Sequence, residues 1–173
     1  MDQSSNPILQ GIFKRRSIRS FTQDPLTKEE VQVVLQAGQW APSGLNNQPW
    51  RFLPLLSGDS RQGALAECTK YAKIIREAQA LITVFLDQEQ VYSQVKDQQA
   101  IGACVQNMLL AAYSLGLGAV WLGEILNQEK QALQVLGLDG NRYALMAVVA
   151  MGHPAQKGHS QRKPLSELLL EEL

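Results

Sequence analysis

The sequence predicts an α+β layered fold, a central sheet of antiparallel or mixed strands flanked by helices. Three observations predict it. Strand-like apolar runs alternate with helical periodicity along the chain, which supplies both layers. Two helices precede the first strand, an order that suits a layered domain better than a doubly wound one. Two strands, at residues 81–86 and 143–151, are apolar almost throughout, as buried strands are. No repeat, linker or low-complexity stretch interrupts the chain, so residues 1–173 read as one domain. That length buries roughly 70% of the unfolded surface.

Ile8, Leu9, Ile12 and Phe13 follow helical spacing and end in the run Lys14-Arg15-Arg16. Thr27 and Glu30 form a capping box, Leu26 and Val31 a hydrophobic staple, and the helix they open carries Val31, Val34 and Leu35 inward to about Gly38. Residues 41–49, with two prolines, a glycine and two asparagines, make an irregular loop. Residues 50–56 read as a strand that Pro54 places at an edge. After a turn at Ser57-Gly58-Asp59-Ser60, one or two helices run to about Ala78. Ile101, Cys104, Val105, Met108, Leu109 and Ala112 then mark a helix over 97–115, buried on most sides and ended by Gly116. A short strand at 119–122 and a helix from Asn127 to Gly137 follow, and Pro164 opens a C-terminal helix bearing Leu165, Leu168 and Leu169.

Sixteen basic residues cancel sixteen acidic ones, so no net field attracts a nucleic-acid backbone. The basic residues are nevertheless clustered, at Lys14, Arg15, Arg16 and Arg19 and again at Lys157, Arg162 and Lys163. Such local clusters suit an anion the size of one phosphate. Cys68 and Cys104 make no disulfide framework, no secretory signal is apparent in residues 1–7, and no apolar stretch spans a bilayer. A cytoplasmic location is expected. His153 and His159 are too few for a metal site, and no nucleophile–base arrangement is evident. Gly116-Leu117-Gly118 begins like a dinucleotide fingerprint but follows a helix and meets Trp121 where the third glycine belongs. Enzymatic chemistry would therefore come largely from a cofactor.

Arg15-Arg16-Ser17-Ile18-Arg19-Ser20-Phe21 places guanidinium forks beside hydroxyls, good chemistry for binding phosphate. Alone, the same cations also suit the C-terminal end of a helix dipole. Three further segments accompany it: Ala41-Pro42-Ser43-Gly44-Leu45-Asn46-Asn47-Gln48-Pro49-Trp50, then Gly116-Leu117-Gly118-Ala119-Val120-Trp121-Leu122-Gly123, then Arg162-Lys163-Pro164-Leu165-Ser166-Glu167. In this order, over nearly the whole chain, they resemble the nitroreductase family of flavoproteins.

The resemblance implies an intertwined homodimer that binds FMN and uses NADH or NADPH as co-substrate. It implies that Arg15, Arg16 and Ser17 hold the FMN phosphate and ribityl chain, with Arg162 and Lys163 closing on the phosphate. Arg19 would lie at the flavin N1–O2 edge, where a fixed guanidinium stabilises the charge that reduction adds. Pro42, Ser43, Gly44 and Asn46 would come from the partner subunit, and Leu122, Gly123 and Glu124 would offer backbone groups near N5. Gly123, lacking a Cβ, permits that approach. The implied reaction passes a hydride from NAD(P)H through flavin N5 to a nitroaromatic, quinone or similar small electrophile. A specialised flavoenzyme of the same fold and a non-catalytic FMN-binding protein remain as alternatives.

Several residues also have plain structural readings. Trp50 and Phe52 are expected in the core, Trp121 in the core or a pocket wall, and Cys104 as inert packing. Gln48, held extended by Pro49, would satisfy the loop's own backbone, and the Glu124 side chain would face solvent. Larger family members carry a helical excursion over the flavin. Here only residues 87–96 separate the second strand from the long helix, which implies a more open pocket.

Overall fold

The computed structural model describes residues 6–171, so Met1–Ser5 lie outside it. The elements run α1 (Pro7–Lys14), α2 (Lys28–Gln39), β1 (Trp50–Leu56), α3 (Arg61–Ala66), α4 (Ala72–Glu77), β2 (Ala80–Asp87), α5 (Gln94–Ser114), β3 (Gly118–Leu122), α6 (Glu129–Leu136) and β4 (Tyr143–Gly152). The four strands form one sheet in the order β1-β2-β4-β3, and every neighbouring pair is antiparallel. The α+β expectation holds, without the parallel pairing of a mixed sheet. Pro54 does sit on an edge strand, where its missing N–H leaves no gap in the ladder.

Alternation along the central strands builds two cores, one on each sheet face. Ile82, Val84 and Leu86 of β2 join Ala147, Val149 and Met151 of β4 beneath α2 and α5. Leu81 and Phe85 join Leu145, Val148 and Ala150 beneath α3, α4 and α6. A bulge keeps this alternation in step: Val84 pairs with Ala147 but Phe85 with Leu145, so Met146 is the extra residue. The fully buried Thr83 donates from Oγ1 to Leu53 O at 2.8 Å, which leaves no hydroxyl unsatisfied there.

α5 begins three residues earlier than expected and buries Ala100, Ile101, Cys104, Val105, Met108, Leu109 and Ala112 along the sheet. It ends in a Schellman turn: Gly116 adopts φ +75°, its N–H donates to Tyr113 O, and Leu117 N–H donates to Ala112 O at 2.9 Å. Burial pushes the Cys104 thiol up to about 12, in keeping with inert packing. Trp50 is buried and Phe52 partly so.

Three expectations are corrected. Asn127 does not cap α6: it lies inside a 3₁₀ segment, Glu124–Gln128, and Gln128 stands at the cap. Pro164 opens only a 3₁₀ turn, Leu165–Glu167, because Leu165 and Leu168 find no apolar surface and stay exposed. Gln48 is not extended but left-handed at φ +46°, a conformation the surrounding loop imposes against the preference of a residue before proline.

The capping box of α2 is complete, with Thr27 Oγ1 accepting from Glu30 N–H at 3.1 Å and Glu30 Oε2 accepting from Thr27 N–H at 2.8 Å. Thr27→Ala should lower stability by about 1 kcal/mol at neutral pH, measured by urea denaturation. The Thr27 N–H holds the Glu30 carboxyl below its ordinary value. Its half of the box is therefore fully present above the ordinary carboxylate range and fades as pH falls through the lowered value.

Candidate functional site

The basic segment is laid along the sheet by close backbone approach. After α1 ends at Lys14, Ser17 bridges Ala119 of β3 in parallel, and Ile18 N–H donates to Ala119 O at 3.0 Å. Gly118 allows this, since a Cβ there would stand 2.7 Å from Ile18 Cγ2. Farther on, Phe21 pairs with Pro154 beyond the end of β4. The segment thus carries Arg15 and Arg16 from the helix end onto the β3 edge.

There they line a cavity of about 380 Å³ together with Lys157 and Gly158, and Leu109 and Tyr113 of α5 make its apolar wall. Arg15 is half-buried, and its Nε and Nη1 are buried with no hydrogen-bond partner. Desolvation, then the nearby charges of Arg162 and Arg16, lower its pKa. Like charges converge here around unpaired donors. Buried donors without a partner are rare because each costs free energy, so this geometry asks for an anion. Arg16 is differently placed. Its Nη1 donates to Phe13 O at 2.6 Å and to Arg15 O at 2.8 Å, so this guanidinium closes the C-terminal end of α1. Lys163 pairs with Glu167 at 3.8 Å, both exposed, and Arg162 reaches Arg15 through its field. Arg19 is exposed and makes no ion pair among the described residues.

β3 leads away from this cavity to the turn after Leu122. From Ala119 to Gly123 is about 13 Å of strand. Gly123 is open: a Cβ would meet only Trp121 Nε1, at 4.0 Å. Trp121 is 42% exposed beside it and is not part of the core. An anion cradle at one end and a bare backbone turn beside an indole at the other suit an elongated ligand with a phosphate and a flat ring. The Glu124 side chain does not face solvent as expected. Its carboxylate accepts from Thr69 Oγ1 at 2.5 Å and from Lys70 N–H at 3.1 Å, and these bonds hold it below its ordinary pKa.

Pro42, Ser43, Gly44 and Asn46 are not brought to this place. Their loop packs on the first turn of α5, through Asn47 and Asp97, whereas the cavity touches that helix at Leu109 and Tyr113. Sixteen residues of helix separate Asp97 from Tyr113, about 24 Å. Lys157 and Gly158 also line the cavity, and no motif marks either: Lys157 belongs to the C-terminal basic cluster but nothing in the sequence sets it apart from its neighbours. At Gly158 a Cβ would lie 2.2 Å from Arg16 Cβ, a contact visible only in three dimensions.

Residues 12–65 and 55–153 match the pattern of the nitroreductase family. A protein from Desulfovibrio desulfuricans, solved as a nitroreductase in complex with FMN, superposes with a TM-score of 0.96 at 56% identity, covering 98% of each chain. The NADPH-flavin oxidoreductase of Vibrio harveyi is 32% identical over 87% of this chain and 67% of its own length. The NADPH:FMN oxidoreductase of the same organism, solved with NAD+, superposes with a TM-score of 0.87 at 28% identity, covering 97% and 78% of the two chains.

If the Arg15 cavity takes a phosphate group, inorganic phosphate should raise the Tm of the cofactor-free protein. Arg15→Ala should lose most of that rise while its Tm without phosphate changes little, because the variant also relieves repulsion from Arg16 and Arg162. Thermal melts across a phosphate series read both effects; a wild-type Tm indifferent to phosphate would refute the assignment.

Proposed function

The chain belongs to the nitroreductase family, and on that premise we propose that it is a homodimeric FMN oxidoreductase fed by NADH or NADPH. The observation that carries this reading is Arg15, half-buried with two unpartnered donors at the mouth of a basic cavity. Support comes also from the FMN bound to the Desulfovibrio relative and from the NADPH-flavin activity that names the Vibrio one.

Arg15 anchors the phosphate with Arg162, assisted by Lys157 and by Lys163 if it leaves Glu167. Arg16 shapes the cradle by tying the end of α1, and Ser17 adds a hydroxyl where the segment joins β3. Leu122, Gly123 and Glu124 present backbone to the reactive face of the ring, and the Glu124–Thr69 bond keeps that turn still. Arg19 sits free to place positive charge at the N1–O2 edge, where reduction adds negative charge. FMN held by these residues would supply the redox chemistry, hydride transfer from the nicotinamide and then electron transfer to a nitroaromatic, quinone or similar planar electrophile in alternating half-reactions. The chain supplies orientation and electrostatics.

Two features favour the dimer. Ile8, Ile12 and Phe13 of α1 are exposed, 71%, 46% and 57%, beside a groove of about 490 Å³ against Leu110 and Tyr113 of α5. Apolar surface of this kind belongs under a partner. Two-fold packing along α5 would also set the loop of one subunit beside the cavity of the other, closing the 24 Å gap (about sixteen residues of helix). Between β2 and α5 there is a single 3₁₀ turn, Gln88–Gln90, which supports a more open pocket over the ring.

The purified protein should be yellow and bleach with NADH or NADPH under nitrogen, then recover its colour with menadione. A colourless protein that takes up no FMN would end the proposal. Arg15→Ala should weaken FMN binding by about 1.5–3 kcal/mol, the scale of a charge-assisted hydrogen bond. Arg19→Ala should instead lower the flavin midpoint potential with a smaller change in Kd, read by spectroelectrochemistry and fluorescence titration.

A further inference from the structure

The loop 42–48 holds the one cluster of backbone strain among the described residues. Leu45, Asn46 and Gln48 have φ of 54°, 54° and 46°, and none is glycine. Such conformations persist only where the surroundings over-determine them, and here they do. Asp97, fully buried on the first turn of α5, accepts from Tyr92 N–H and Ser93 N–H with Oδ2, each at 3.0 Å. Its Oδ1 accepts from Asn47 Nδ2 at 2.9 Å, and the same Nδ2 donates to Gln90 O at 3.0 Å. Ser43 Oγ accepts from Gln48 N–H at 3.1 Å. Gly44 lies so close to the Tyr92 ring that a Cβ would stand 1.7 Å from its hydroxyl.

What this clamp holds is a side chain turned outward. Leu45 is 86% exposed, so the strain does not serve the subunit's own core. Nor can the loop reach its own Arg15 cavity, which lies at the other end of α5. A rigid apolar tip held away from the subunit is built to meet a surface outside it.

We propose that Asp97 is a positioning residue for the flavin site of the partner subunit. Through Asn47 it locks the left-handed turn at Leu45, Asn46 and Gln48, and so sets loop 42–46 in the form that completes the site lined by the partner's own basic segment. This rests on the homodimeric FMN reading above. Asp97 touches neither cofactor nor substrate. It fixes the geometry of what does.

Heterodimers carrying Asp97→Asn in one subunit and Arg15→Ala in the other, isolated with two affinity tags, test it by FMN titration. Each homodimeric variant should bind FMN about tenfold or more weakly, the effect of losing one charge-assisted hydrogen bond. In the heterodimer one site unites both lesions and the other has neither, so one FMN per dimer should bind with wild-type affinity and midpoint potential. A fold defect confined to the Asp97→Asn subunit would spoil the site that subunit itself lines, and both sites would then be weak. That result, or an Asp97→Asn homodimer with wild-type affinity, overturns the proposal. Asn47→Ala takes the place of Asp97→Asn, under the same two outcomes, if that variant does not fold. Wild-type protein that binds no FMN would overturn the flavin reading itself, whereas wild-type binding without half-site recovery overturns this inference alone.

Discussion

Everything at the site is measured out along α5. This 21-residue helix lies on one face of the sheet, with Cys104, Val105, Met108 and Ala112 fully buried beneath α2 or against β2 and β4. Packing of that density leaves little freedom to slide or tilt, so the two ends of the helix are fixed points. At one end Leu109 and Tyr113 wall the basic cavity, and the Gly116 turn delivers the chain into β3, whose Ala119 carries the incoming Ser17 and Ile18. At the other end Asp97 gathers Asn47, Tyr92 and Ser93. The separation between the basic cavity and the loop is a property of the helix.

The electrostatics of the cavity run against the stability of the isolated chain. Arg15 is half-buried beside the fields of Arg16 and Arg162, with two donors unsatisfied. In a stability-driven arrangement a carboxylate would sit among them, as Asp87 does between Arg51 and Arg142 at 3.0 and 3.3 Å. The contrast within one molecule is informative. Asp87 is held by two guanidinium partners, whereas Arg15 has none for its buried Nε and Nη1. Arg16 shows how one motif divides: its guanidinium satisfies carbonyls at the end of α1, while its neighbour stays free.

Glu124 and Asp97 perform the same service on two segments. Each is a carboxylate that accepts both backbone and side-chain donors: Glu124 from the distant Thr69 and Lys70, Asp97 from the distant Asn47 and from the neighbouring Tyr92 N–H. Each thereby stills an irregular stretch that regular hydrogen bonding cannot hold. Loops that carry function need such anchors, since they have no ladder or helix of their own to set their shape.

Local patterns were enough for much of this. Thr27 with Glu30, Gly116 after an apolar stripe, Pro54 in an edge strand and the alternation of β2 and β4 act over a few residues, and the structure forms what each implies. The four motifs, met in order, were enough for the family. The Asn127 cap failed locally, displaced to Gln128 by a 3₁₀ segment, and the other failures depended on distant partners: whether Leu165 and Leu168 find an apolar surface, what Glu124 faces, what forces Gln48 into a left-handed turn. By itself the sequence determined the elements, the layered class and the clustering of basic residues, because periodicity, caps and charge are written in neighbouring positions. Only the tertiary structure decided that Arg15 stands unpaired while Arg16 is spent on a helix end, that Lys157 and Gly158 close the cradle, and that the loop 42–46 points away from it. Those outcomes depend on which long-range contacts satisfy a buried donor or fill a space, and no local pattern of residues encodes that.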